Sequence, residues 1–352
     1  MNKIIFERIL KRTMIVLGVY LVIGLIYIAF SLSQKVKLYE KGGNDERSMQ
    51  LSLSYNDDFV YDDSINDNNL TEFVSCYQEP MAKEDFTEEM KSKYNEIERY
   101  FASSSERVSF SYEDLYSGLH ISFNENQTYF SASTIKSPVV TYIYKLYTEG
   151  LVDLNTLLTY EPRHYVGGAG AIRYQPYGKQ YTINELIQRT IINSDNVAYT
   201  MLAYYVNSKD IKDYWKNLGA KYFWSSGIWC SVTSKDGIIY MKQLYKFTEE
   251  NPEIKEELLS YYFKSVGRSI VLNDSNIKIA HKSGWNSAAA HDTAIVYDKQ
   301  PYVLAIMSLK GNLDYDSYFA RASNLINEFH NLYWNKKSSY CYDKVFNKEN
   351  KA

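Results

Sequence analysis

Excess positive charge is missing from this chain. Its 352 residues carry 39 Lys and Arg against 42 Asp and Glu, a formal net charge of −3. That balance offers no polycation to a nucleic-acid backbone, so no nucleic-acid partner is expected. Metal-ligand spacing is missing too. The three cysteines, Cys76, Cys230 and Cys341, fit no metal motif, and the five histidines join no His/Cys/Asp cluster. No metal and no cofactor are expected. The chain has no Gly-x-Ser-x-Gly elbow and no glycine-spaced phosphate loop. It has no visible internal repeat. An odd cysteine count leaves at least one thiol unpaired. One disulfide is possible with its partners open, and three unrelated cysteines is the favoured reading.

What is present begins at the N-terminus. Lys3, Arg8, Lys11 and Arg12 stand against one acid, Glu7, and an uncharged run follows at 14–32. At about 1.5 Å per residue a helix of that length crosses a hydrocarbon core of about 30 Å. A cleaved signal peptide is the rival, with a shorter apolar region as its usual mark. The basic flank precedes the run, so residues 1–13 are expected in the cytoplasm, 14–32 as a transmembrane anchor, and the rest outside at a bacterial cell surface. Residues 33–84 are polar and acidic and read as a linker. A single domain is expected over 85–335, followed by a polar tail at 336–352. Apolar residues make up 45% of the chain, enough for a sizeable core.

Within 85–335 the pattern predicts a helix from Asp85, with Glu88 completing a capping box. Two strand-like runs, "RVSFSYED" and "GLHISFNEN", form a hairpin. Residues 151–265 read as mainly helical. Three strands follow, "IKIAHKSGW", "DTAIVYD" and "PYVLAIMSL", and then an amphipathic helix ending near Asn335. Because a two-stranded hairpin is marginal alone, the strands at both ends must meet in one sheet. The expected fold is α+β: an antiparallel sheet flanked by helices, with an inserted all-α subdomain and a cleft between the layers.

The chemistry is carried by "SASTIKSP". Ser133 and Lys136 lie on one face of a helix start. Lys136, if held neutral, can take the proton of Ser133, and the helix N-terminus supplies backbone N–H groups for an oxyanion. Pro138, placed beyond the first turn, is expected to kink that start. Two further stretches raise the specificity. "INSDN" holds Ser194, Asp195 and Asn196, and "HKSGW" holds Lys282, Ser283, Gly284 and Trp285. Two lysines converging on one cleft lower each other's pKa.

Ser-x-x-Lys, Ser-Asp-Asn and Lys-Ser-Gly in that order resemble the penicillin-recognising serine enzymes, and most of all the class A β-lactamase family. The resemblance runs from about residue 90 to 335 and includes the Gly-rich "VGGAGAIRY". It implies that Ser133 is the acylated nucleophile and Lys136 the general base, directly or through a water. It implies that Ser194 relays a proton to the leaving nitrogen and that Asn196 holds the substrate amide. Lys282 and Ser283 would bind the substrate carboxylate, with Gly284 leaving room at the strand edge. The backbone N–H groups of Ser133 and Trp285 would form the oxyanion hole, and Asp195 would be a structural hub. The chain departs from the family in one respect: no glutamate occurs between Val197 and Glu249, where the deacylating base is expected. Losing a general base costs roughly 10²–10⁴-fold. The expected function is therefore an extracytoplasmic serine hydrolase, acylated by β-lactams or D-alanyl peptides and slow to release β-lactams. An efficient β-lactamase is one alternative, and a non-catalytic penicillin-binding sensor or scaffold another.

Overall fold

The computed structural model describes residues 67–346, with side chains from Thr71 onward. The expected anchor at 14–32 lies outside the described residues, and among those described no helix is long and apolar enough to cross a membrane.

Five strands form the main sheet: β1 (Val108–Asp114), β2 (His120–Phe123), β7 (Lys278–Trp285), β8 (Ala289–Tyr297) and β9 (Tyr302–Leu309). Their order is β2-β1-β9-β8-β7, antiparallel throughout. The N-terminal hairpin joins the C-terminal strands through β1 and β9, in register from Val108↔Ser308 to Asp114↔Tyr302. The short pairs β3 (Tyr129–Phe130) with β6 (Ser231–Val232), and β4 (Leu157–Thr159) with β5 (Gln180–Thr182), lie outside this sheet.

Strand β9 shows why its sequence is apolar throughout. Side chains alternate between faces, and both faces are covered. Val303, Ala305 and Met307 join one core, while Tyr302, Leu304 and Ile306 join the other. The second core is closed by α2 (Glu88–Ala102) and α9 (Tyr315–Phe346), through Phe101 and Phe329. The first is closed by the all-α part: α3 (Lys136–Thr148), α4 (Ile183–Ile192), α5 (Asn196–Tyr205), α6 (Ser208–Asn217), α7 (Ser234–Glu250) and α8 (Pro252–Phe263). Edge strand β7 is pressed against the turn that starts α3. A Cβ on Gly284 would lie 2.5 Å from the Ser133 nitrogen and 2.8 Å from that of Thr134.

Several expectations change. The helix expected from Asp85 starts later: Thr87 is its N-cap and accepts from Met90 N, while Asp85 closes a 3-10 turn. Pro138 lies in the first turn of α3, where a missing N–H costs nothing. The irregularity precedes it, as a 3-10 turn over Ala132–Ile135. The stretch read as linker contains α1 (Asp67–Gln78), and the stretch read as a polar tail continues α9 to Phe346. Cys76 on α1 and Cys341 on α9 form a disulfide, and Cys230 is free and buried. The three cysteines are thus not unrelated. The partners are 265 residues apart, so linear spacing carries no sign of the pairing. Phe73, Cys76, Cys341 and Val345 make a small core of their own.

Thiol titration of the denatured protein should find one free thiol before reduction and three after it; three before reduction would dissolve the α1–α9 clasp. Gly284→Ala should destabilise the fold by about 1–3 kcal/mol, because its methyl group would meet backbone that cannot yield. An unchanged melting temperature would mean that β7 does not lie so close to the Ser133 turn.

Candidate active site

Lys136 is the centre of the site. It is wholly buried, whereas Ser133, one turn earlier, is half-buried and reachable. The Lys136 amine lies 2.6 Å from the Ser194 carbonyl oxygen and 2.6 Å from Asn196 Oδ1. It is 2.9 Å from Ser133 Oγ and 3.1 Å from Ser194 Oγ. The first two oxygens can only accept. A neutral amine has two hydrogens, which they take, and its lone pair is left facing the hydroxyls. Burial, and then the charge of Lys282, hold the Lys136 pKa well below the ordinary lysine value, against an opposing pull from Asp195.

The acceptors are positioned by the chain around them. Asn196 Nδ2 donates to the Gly167 carbonyl at 2.7 Å, which turns its oxygen toward the lysine. Asp195 caps α5: its Oδ1 accepts from Val197 N and Ala198 N, both at 3.0 Å. Its Oδ2 accepts from Ala171 N at 2.8 Å and Ile172 N at 3.0 Å. One carboxylate thus ties the Gly-rich segment to the Ser-Asp-Asn turn, the hub expected of it. Gly170, at φ +98°, passes so close that a Cβ there would lie 2.1 Å from Asp195 Cγ. Ser194 at φ +54° and Ala132 at φ +45° adopt left-handed backbone without being glycine. Such conformations persist only where the surroundings hold them.

Strand β7 supplies the other side. Lys282 is fully buried and its amine donates to the Ser283 carbonyl at 3.0 Å. Burial lowers its pKa to about 8, with Asp292 opposing. Ser283 Oγ donates to the Val266 carbonyl at 3.0 Å. Ser133, Lys136, Ser194 and Asn196 are therefore joined directly by hydrogen bonds. Gly284 adjoins them by contact with the Ser133 backbone, and Lys282 by its field. Ser283 is not bonded to that group, and the exposed Trp285 follows Gly284 at the end of the strand.

Sequence reasoning missed Trp229, whose ring centroid is 5.4 Å from the Lys136 amine. It belongs to the aromatic segment between α6 and α7, where an acid was sought. Asp236 of that region is buried at the start of α7, accepting from Lys221 N and from Thr233 N and Oγ1. Burial raises its pKa. Among the described residues no carboxylate is hydrogen-bonded to Ser133, Lys136 or Ser194, and no cluster of His, Cys, Asp or Glu is arranged to hold a metal ion. Two histidines, on β7 and β8, also have partners near the site. His281 joins Asp292, and His291 Nε2 bonds the Phe130 carbonyl at 2.9 Å, just before the Ser133 turn.

Solved structures with this fold include PBP-A, as a point mutant in its acyl-enzyme complex with penicillin G. It shares 20% identity over 69% of this chain and 97% of that one, with a TM-score of 0.62. A β-lactamase from Sphaerobacter thermophilus shares 17% identity over 66% of this chain and 95% of its own, with a TM-score of 0.56. One from Xanthomonas campestris shares 18% over 69% and 97%, with a TM-score of 0.57. No curated protein matches the chain. The profile of the Beta-lactamase enzyme family matches residues 92–333, a span that takes in the hairpin, all three motifs and most of α9; the chain belongs to that family.

Proposed function

We propose that this protein is an extracytoplasmic serine hydrolase that is acylated at Ser133 by β-lactams or D-alanyl peptides and releases β-lactams slowly. The observation that carries the reading is the Lys136 amine, buried and bonded to two carbonyls, with its remaining direction toward Ser133 Oγ. In this reading Lys136 takes the Ser133 proton as Oγ attacks the carbonyl carbon. The backbone N–H groups of Ser133 and Trp285 receive the oxyanion. Ser194, within reach of the same amine, passes the proton to the leaving nitrogen. Asn196 holds the substrate amide, and Lys282 and Ser283 hold its carboxylate.

Slow release follows from what adjoins the base. Trp229, an indole, approaches Lys136 from the segment where a water-activating acid was sought. The penicillin G acyl-enzyme of PBP-A gives the adduct a precedent on this fold. Location outside the cytoplasm is supported by the basic flank ahead of the apolar run 14–32. The Cys76–Cys341 disulfide also suits an oxidising compartment.

Intact-mass measurement of the full-length protein with benzylpenicillin tests the reading. A mass gain that persists and maps to Ser133 is expected. A transient gain with steady consumption of penicillin would make the protein an efficient β-lactamase. No gain on folded protein would favour a non-catalytic sensor or scaffold. Lys136→Ala should slow acylation by roughly 10²–10⁴-fold with the fold intact. The second-order acylation rate, which reports free-enzyme groups, should be bell-shaped in pH. Its rise follows deprotonation of Lys136 and falls below the ordinary lysine range, because the neutral amine is the active form. Its fall lies near pH 8, where Lys282 loses the charge that holds the substrate anion. A rate still rising through pH 9 would remove Lys282 from that role.

A further inference from the structure

Behind β7 lies a buried pair that the catalytic reading does not use. His281 and Asp292 are both almost wholly buried. His281 Nδ1 faces Asp292 Oδ1 at 3.0 Å, and its Nε2 faces the Ser265 carbonyl at 3.0 Å. Asp292 Oδ2 accepts from Ser269 N at 2.8 Å and Ile270 N at 3.0 Å, an arrangement made for a carboxylate. Each ring nitrogen faces an oxygen, so the ring bridges Asp292 on one side and the Ser265 carbonyl on the other. The other charged groups nearby are Lys282, next to His281 on β7, and Asp316 of α9, which accepts from Ser269 Oγ at 2.6 Å.

The pair grips one segment at two places. Residues 265–270 have no regular structure, yet their start is held by His281 and their end by Asp292. Between the grips stands Val266, which touches both sides of the site. Its N–H donates to the Ile192 carbonyl at 3.1 Å, at the end of α4 and two residues before Ser194. Its carbonyl accepts from Ser283 Oγ on β7. The segment also backs the Ser283 hydroxyl so closely that a Cβ on Gly267 would meet it at 3.1 Å. Residues 265–270 are thus a strut between the Ser194 turn and the strand that carries Lys282 and Ser283.

We propose that His281 and Asp292 are positioning residues: as a buried hydrogen-bonded pair they clamp the strut 265–270 and thereby set the place of Ser283 and the width of the subsite for the substrate's anionic group. The inference rests on the reading of Ser133 as an acylated nucleophile and adds what shapes its substrate's anion subsite. The pair touches neither Ser133 nor Lys136, so it acts on binding and not on the bond-making step.

The test uses full-length protein and two variants. Asp292→Ala removes both grips. Asp292→Asn can keep them, with its amide oxygen on Ser269 and Ile270 and its NH₂ donating to a neutral His281 that still bonds Ser265. For Asp292→Ala, the benzylpenicillin concentration giving half-maximal acylation should rise about tenfold, the scale of a lost charged hydrogen bond, while the limiting rate holds. Asp292→Asn should restore most of the loss. Cleavage by trypsin after the exposed Arg268, inside the strut, should be fast in Asp292→Ala and slow in the other two. Should Asp292→Ala fail to fold, His281→Gln takes its place, since one amide cannot span both Asp292 and Ser265. An Asp292→Asn as impaired as Asp292→Ala would overturn the clamp in favour of a pure charge effect. A fall in limiting rate with unchanged half-saturation would overturn it by placing the pair in the chemical step, and equal affinity in all variants would overturn it outright. If the wild type is never acylated, the reading of Ser133 fails, and the trypsin comparison still decides the clamp.

Discussion

Everything at this site depends on burying the amine of Lys136. A bare ammonium in a dry interior costs several kcal/mol even after the protein relaxes. The chain meets that cost by favouring the neutral amine and by giving its hydrogens fixed acceptors. Two carbonyls at 2.6 Å hold the nitrogen in place, and the second buried lysine, Lys282, disfavours another charge beside it. The side chain that results has the setting a general base needs, with Ser133 Oγ as its neighbour. Lys282 also keeps the site attractive to an anion, so one cation serves both the base and the expected ligand.

Holding those acceptors requires unusual backbone. Ser194 and Ala132 both sit in left-handed conformations, which cost non-glycine residues of order 1–3 kcal/mol each. The surroundings impose them. Asp195 spends all its acceptor capacity on four backbone N–H groups, two in its own helix and two in the Gly-rich segment. Gly284 lets edge strand β7 come into contact with the serine turn. The rigid parts of the site are therefore hydrogen-bonded loops clamped between a helix start and a sheet edge, and their rigidity comes from buried side chains more than from regular structure.

This division explains what could be read from sequence. The sheet, the hairpin and the helices α4 and α5 were legible because their apolar periods match elements buried on defined faces. The group of side chains around Lys136 was legible because three short motifs in a fixed order are rare together. The hub role of Asp195 followed from the same resemblance. What stayed hidden depends on pairings between distant segments. Helix α1 is mostly polar, and its small core exists only because the extended α9 returns to meet it. Cys76 and Cys341 carry no mark of each other. The strand sequence around His281 is silent about Asp292 and Ser265. Trp229 is one of several aromatics in its stretch of sequence, and nothing local sets it apart.

The fate of an acyl group on Ser133 turns on that last residue. After acylation the serine oxygen is an ester oxygen and has no proton to give. In the proposed mechanism Lys136 returns to its neutral form once Ser194 has passed a proton to the leaving nitrogen, and it keeps its lone pair. To serve deacylation it would need a water beside it on the acyl carbon. Its nitrogen is enclosed by Ser194, Asn196 and the face of Trp229, and the side chain has no exposed surface. In the proposed reading water would therefore have to enter from the substrate side, where a bulky β-lactam fragment would leave less room than a D-alanyl acyl group whose leaving group has departed. In the proposed reading the buried amine that makes acylation feasible would thus make hydrolysis depend on the size of the acyl group, which is the physical ground for expecting peptide turnover and β-lactam capture to differ.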